Sequence, residues 1–327
     1  MGIKHLNKFL RENASSAIKI ISFTELFGKK IAVDISIYMH KYVAEDTLIE
    51  SIYNMLATFR YYNIIPVFIF DGKPLTEKKD LLLKRREDRK EAFTEYENLQ
   101  NIIKNNENMS EEDKQEIYSQ MITLKRTFVK INKNDIEIVK RLIISYGATY
   151  YHAPNEADEL CAYLAIKGKV WATLSEDMDM FVYGCTNVIR YLSLLNHNVV
   201  YYDMNGILKS LGITQNQLRE ICILSGTDYN SMNDSHNLYT TLKLFKKYLK
   251  SIKKNNETQI SFYDWLLNNT SYIEDIELLL KIYDIFDLSK NHTNMKTFDS
   301  IKIANTLILK KDLQEILKTD GFLFPNN

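Results

Sequence analysis

Several acidic residues stand where strand-like runs of the chain end. Ile31-Ala32-Val33 and Val67-Phe68-Ile69-Phe70, rich in β-branched and aromatic side chains, close on Asp34 and Asp71. The run 170–174 leads into Ser175-Glu176-Asp177-Met178-Asp179, and 149–152 leads through Ala153-Pro154-Asn155 to Glu156 and Asp158. Each acid alone has a structural explanation. Asn155 with Asp158 resembles a capping box, Ser175 could cap a helix starting at Glu176, and Asp71-Gly72 is an ordinary turn. Jointly they are harder to explain, because an open parallel sheet gathers the carboxyl ends of its strands at one crevice. Carboxylates crowded there repel one another unless cations neutralise them. Oxygen donors without nearby His or Cys favour Mg²⁺ or Mn²⁺ over zinc, and two such ions are the usual device for displacement at a phosphodiester. A phosphatase that places Asp-x-Asp after its first strand is the competing chemistry, and Asp34-Ile35-Ser36 does not match it.

The elements that must position these acids follow from periodicity. Residues 46–62 carry Leu48, Ile52, Met55, Leu56 and Phe59 at helical spacing between the first two strands, and a helix is expected over 156–167. Between residue 76 and Gly147 there is neither Pro nor Gly. Long helices are expected there, broken near 105–110, with Ser110 starting the second. Residues 76–90 hold seven basic against four acidic side chains, a pattern that fits a solvated helix face and equally a surface that draws in phosphate. After Asp228 the pattern is helical over 238–252, 260–268, 272–286 and 298–318. The expected fold is α/β: a mostly parallel central sheet flanked by helices to about residue 230, then a helical extension over 231–327.

Composition narrows the classes. Of 327 residues, 45% are hydrophobic and 26% charged, which excludes a largely disordered or collagen-like chain. No apolar run reaches the ~18 residues of a membrane span, and the polar start lacks a signal-peptide core, so an intracellular protein is expected. Cys161, Cys185 and Cys222 fit no zinc spacing and no disulfide framework. Forty-two basic residues balance 42 acidic ones, so a nucleic-acid partner must be met by local patches. Heavy use of Asn, Ile, Lys and Tyr resembles coding in an AT-rich genome.

Six segments then carry a resemblance: MGIKHLNKFLRE, FGKKIAVDIS, PVFIFDGKP, APNEADELCAYL, SEDMDMFVYG and CILSGTDY, in order across residues 1–229. The chain resembles the structure-specific 5′ nucleases of the flap endonuclease 1, exonuclease 1 and XPG-Rad2 group. That resemblance implies a PIN-like 5′ nuclease core over 1–230, with an N-region of about 1–100 that includes an arch helix and an I-region of about 130–230. Residues 231–327 become a DNA-binding extension. It implies two Mg²⁺ ions, replaceable by Mn²⁺, on Asp34, Asp71, Glu156, Asp158, Asp177, Asp179 and Asp228. Lys78 and Arg85 match the catalytic arch residues, and Gly2, Arg190 and His40 match DNA-contacting positions. His40-Lys41 resembles the exonuclease branch, whereas the flap endonuclease branch has a tyrosine near here. Flap cleavage and 5′→3′ exonuclease action both stay open, as do RNA substrates and a DNA-binding factor that has lost catalysis.

The sequence also departs from the family. The hairpin after Asp228 usually holds Gly-x-Gly-Pro, which binds potassium and phosphate through its backbone, yet no glycine occurs between Gly226 and Gly321. The potassium site is therefore not carried over. Lysines 243, 246, 247, 250, 253 and 254 offer substitute phosphate contacts or form a solvated face. Gln314 and Leu317 begin a sliding-clamp motif, but Asp320-Gly321 occupy its aromatic positions and Phe322 arrives one place late. Clamp binding is not expected. A monomer without membrane attachment is expected, in a nucleus or at a cytoplasmic viral replication site.

Overall fold

β-Branched and aromatic residues build seven strands: β1 Ile18–Ser22, β2 Lys30–Asp34, β3 Ile65–Phe70, β4 Thr149–His152, β5 Ala172–Leu174, β6 Asn187–Ser193 and β7 Asn198–Asp203. They form a mixed seven-stranded sheet flanked by helices in a computed structural model that describes residues 3–73, 79–106, 110–230, 236–255, 260–289 and 293–322. The chain divides into two compact units. One comprises Met1–Val33 and Asp158–Ile301, the other Asp34–Ala157 and Lys302–Asn327.

The first unit orders its strands β1-β7-β6-β5-β2. β2 runs parallel to β5, with Ala32 opposite Thr173, and β5 runs parallel to β6. β6 and β7 form an antiparallel hairpin with an irregularity between Arg190 and Ser193, and β1 adds antiparallel to β7. Ile31, Ala32 and Val33 are all buried, as expected of a strand covered on both faces. β1, β6 and β7 were not among the expected strands. Their signal was readable in Val188-Ile189 and Val199-Val200, which flank the turn-forming Asn196-His197. β5 is shorter than the expected 170–174, and Ser175 does not cap a helix at Glu176. The short helix after it, Asp179–Tyr183, begins three residues later.

In the second unit β3 pairs parallel with β4, Val67 opposite Thr149 and Phe70 opposite His152. The crossover between them passes through helices Lys79–Asn105, Glu111–Phe128 and Lys133–Ser145. Ser110 caps the second of these, accepting from Asp113 N, as the sequence suggested. Asn132 and Asp135 close a reciprocal capping box on the third, which splits the expected long helix once more. Phe93 and Tyr96 pack edge-on against Phe128 and join the first helix to the second.

The expected helix over 298–318 is corrected by the structure. Residues 301–309 are not helical and separate a 3-10 helix over Thr293–Ser300 from an α-helix over Lys310–Thr319. Tertiary bonds override local propensity here. Thr306 N donates to Gly147 O, Leu309 N to Ser145 O and Ala304 N to Thr149 Oγ1, so the segment lies along the second unit as an extended strap. Arg60 fastens it from below by donating to Asn305 Oδ1 and to Thr306 O. Among the described residues no helix is long and apolar enough to cross a membrane.

Candidate active site

In the first unit the acids are held by one chain of hydrogen bonds that starts where β5 ends. Ser175, fully buried, donates its hydroxyl to Asp158 Oδ1 at 3.2 Å and accepts from Asp177 N at 3.1 Å. Asp177 Oδ1 in turn accepts from Asp179 N at 3.0 Å. One hydroxyl and two turns thus fix Asp158, Asp177 and Asp179 together. Asp177 and Asp179 are 5% and 3% exposed, so their charges stand in a poorly solvated place.

Neighbouring groups report that charge. Burial pushes the Tyr183 hydroxyl well above its usual range, and Tyr229, Glu159, Asp179 and Asp158 push it further. Burial likewise raises the Cys185 thiol to about 12, with Asp158 adding to it, and raises Cys222 with Asp179 adding. All three cysteines are buried free thiols, as the count suggested. Asp228 is half-buried in a turn that its neighbours lock: Thr227 N and Oγ1 both donate to Asn230 Oδ1, and Asn230 Nδ2 donates to Ile223 O.

In the second unit Asp34 is buried and caps helix Ile35–Ala44 by accepting from Ser36 N at 3.1 Å. Asp71 is exposed at the end of β3, and its Oδ1 accepts from Ala157 N at 2.9 Å. Gly72 N donates to Asn155 O at 2.6 Å, an approach only glycine permits, because a Cβ there would stand 2.1 Å from Ala153 O. Glu156 is half-buried just ahead of helix Ala157–Ile166. His40, on the helix that Asp34 caps, lies in the field of Asp71, Arg85 and Arg89. Burial first and Arg89 next lower its pKa, Asp71 raises it, and Arg85 lowers it, with a net shift below the usual imidazole value. Arg85 is half-buried on helix Lys79–Asn105.

Three sequence readings need separate statements. Gly2, Lys78 and residues 231–235 of the glycine-free stretch lie outside the described residues. Arg190 is 6% exposed, its guanidinium donates to Glu176 O and Met178 Sδ, and it faces the Tyr191 ring at 4.9 Å. Those bonds tie it to the segment that carries Asp177. Arg89 and the bridging role of Ser175 escaped sequence reasoning. Arg89 could have been found as the basic residue one helical turn after Arg85.

Residues 1–92 match the XPG N-terminal domain and residues 147–228 the XPG I-region. Flap endonuclease 1 of Zea mays is 32% identical over 276 residues, which cover 78% of this chain and 69% of that protein. Flap endonuclease 1-B of Physcomitrium patens is 33% identical over 267 residues, covering 76% and 73%. The chain belongs to the XPG/Rad2 family of structure-specific 5′ nucleases. It is accordingly a DNA-binding phosphodiester hydrolase of the replication and repair class. Solved XPG/Rad2 folds superpose on it at low identity. The catalytic core of Rad2 in complex with a DNA substrate gives a TM-score of 0.67 at 19% identity, over 98% of this chain and 95% of that one. The flap endonuclease-1 of Methanococcus jannaschii gives 0.54 at 22%, over 93% and 97%.

Members of the XPG/Rad2 family generally depend on divalent metal, and the donors here suit a hard cation. Asp158, Asp177 and Asp179 offer oxygen donors only, and Asp177 and Asp179 are buried. Among the described residues no three His, Cys, Asp or Glu side chains stand as a ready-made coordination cluster. Mg²⁺ ordinarily takes one or two carboxylates and keeps water for the rest, a demand that linked acids of this kind meet.

Proposed function

We propose that the protein is a Mg²⁺-dependent 5′ nuclease that cuts DNA at 5′ flaps or at junctions of single and double strand. The observation that carries this reading is the hydrogen-bonded series Asp158, Ser175, Asp177, Asp179, in which Ser175, Asp177 and Asp179 are buried, an arrangement of acids that suits divalent cations. Asp34, Asp71, Glu156 and Asp228 complete the ligand set, some of them through water. Bound there, two Mg²⁺ ions, or Mn²⁺ in their place, supply activated water and charge neutralisation at the leaving oxygen.

The protein's own groups do the rest. Arg85 and Lys78 stabilise the scissile phosphate, and Arg89 extends the same basic helix face toward the DNA backbone. His40 packs beside the terminal nucleotide, and the amine of Gly2 orients the 5′ strand. Residues 231–327 extend the duplex-binding surface of the core spanning 1–230. The working form is an intracellular monomer. A second reading, 5′→3′ exonuclease action on duplex ends, draws support from His40, which sits in the field of Asp71, Arg85 and Arg89 where the flap branch has a tyrosine.

The test uses end-labelled 5′-flap DNA and blunt duplex with pure protein, in Mg²⁺ or EDTA, beside Asp177→Ala. A flap-length product that EDTA and the variant abolish is the expected result. A ladder of mononucleotides from the duplex selects the exonuclease reading. Absence of any cleavage in Mg²⁺ or Mn²⁺ rejects both.

A further inference from the structure

Helix Asp179–Tyr183 is only five residues long, yet it starts with one of the buried acids. Its last carbonyls have no partners within so short a helix and must find them elsewhere. Met180 O is capped locally by Gly184 N and Cys185 N, and the neighbouring helix Gln215–Leu224 serves the other three. Gln215 Nε2 donates to Phe181 O at 2.9 Å and to Val182 O at 3.1 Å. Arg219 Nε donates to Val182 O at 3.1 Å, and its outer nitrogen donates to Tyr183 O at 3.2 Å. A cation at a helix carboxyl end also complements the helix dipole. Gly184, at φ +94°, turns the chain away immediately afterwards, and a Cβ there would press to 3.0 Å from Gln215 Cδ.

Arg219 is itself gripped from behind. It is 4% exposed, it lies 3.7 Å from Asp287 Oδ1, its guanidinium covers the Tyr283 ring at 5.1 Å and it reaches the Tyr283 hydroxyl at 3.4 Å. Tyr283, 64 residues further along the chain, belongs to the helix Ile276–Phe286, and Asp287 is its carboxyl cap. The helix that carries Arg219 also leads directly into the locked turn holding Asp228.

We propose that Arg219 is a positioning residue. It sets the helix that begins at Asp179 and links the placement of Asp177 and Asp179 to the packing of the 276–287 segment. The proposal rests on the reading of those acids as metal ligands. Disturbing Arg219 therefore lowers affinity for the metal while leaving DNA affinity alone.

The experiment compares wild type, Arg219→Met, Arg219→Lys and Gln215→Met as full chains. Mn²⁺ binding without DNA is followed by the electron-spin resonance of the free ion. Single-turnover cleavage of a 5′-flap DNA is measured against Mg²⁺ concentration, and affinity for the same DNA is measured in EDTA. Arg219→Met is expected to weaken Mn²⁺ binding and slow cleavage by about 10-fold each, the scale typical of groups that orient metal ligands, with DNA affinity in EDTA unchanged. Arg219→Lys, which keeps the charge but lacks the planar fork whose separate nitrogens reach Val182 O and Tyr183 O, falls between. Gln215→Met, at a part-buried site, repeats the effect more weakly and serves if Arg219→Met does not fold. Variants that bind Mn²⁺ and cleave like wild type overturn the positioning role alone, as does a loss confined to DNA affinity. A wild type that neither binds Mn²⁺ nor cleaves overturns the nuclease reading beneath it.

Discussion

The acids of the two units are held in different ways. In the first unit Asp177 and Asp179 are buried, and main-chain turns and Ser175 fix their oxygens. In the second unit Asp71 is exposed at a strand end, kept in place by one backbone amide and by the close approach of Gly72 to residues 153–155. The basic residues follow the same division. Arg190 and Arg219 of the first unit are buried and bound to carbonyls, whereas on the helix Lys79–Asn105 of the second Arg86 is exposed and Arg85 and Arg89 are half-buried. The first unit therefore presents charge already oriented, at the cost of desolvation. The second presents charge that can still rearrange around a polyanion.

If that division is right, variants should separate along it. Asp177→Asn and Asp179→Asn should each reduce single-turnover cleavage by about 10³-fold. They should leave the metal-free melting temperature equal or higher, because one buried charge has gone. A fall in melting temperature would contradict the view that these acids are crowded for function. Arg85→Ala should slow cleavage by about 10²-fold and reduce the salt dependence of DNA binding, with no change in melting. Gly72→Ala should destabilise the protein by about 1–3 kcal/mol, measured by urea denaturation, and lower activity through displacement of Asp71.

A pH experiment sharpens the comparison inside the first unit. Burial, with Asp264 adding to it, raises the Glu220 carboxyl from 4.5 to about 7. A group raised in the folded state contributes stability that is complete below its unfolded pKa and is lost as pH rises through its folded one. Stability should therefore decline between pH 4.5 and about 7, and Glu220→Gln should flatten that part of the curve. The smallest effect belongs to Lys125→Ala and Arg126→Ala. Their ion pairs with Asp46 and Glu45 join helix Glu111–Phe128 to the end of helix Ile35–Ala44 across partly exposed surface. Denaturation should show less than about 1 kcal/mol for either.

Much of the site was legible because strand ends announce themselves. A β-branched run that closes on an aspartate placed Asp34 and Asp71, and the helix at Ala157 followed from its periodicity. What escaped was tertiary. β1 has no partner in the sequence until β7 is known, and the bridging hydroxyl of Ser175 reads equally as a cap. Arg190 is one arginine among many until Glu176 and Met178 close around it. The helical pattern over 298–309 was real as a pattern. Gly147, Thr149 and Arg60 outbid it by offering the backbone better partners in extended form.

That strap carries a consequence for how the molecule is made. Thr149 meets Ala304 across 155 residues of sequence, and Arg60 meets Asn305 across 245. The unit begun at Asp34 is therefore completed only when residues 302–309 leave the ribosome, after the whole of Asp158–Ile301 has been synthesised. Until then the edge of β4 and the end of helix Lys133–Ser145 lack their covering, and a nascent chain is open to chaperones and to mispairing at that edge. Contacts so distant along the chain close late and slowly, so this strap sets the pace at which the second unit matures.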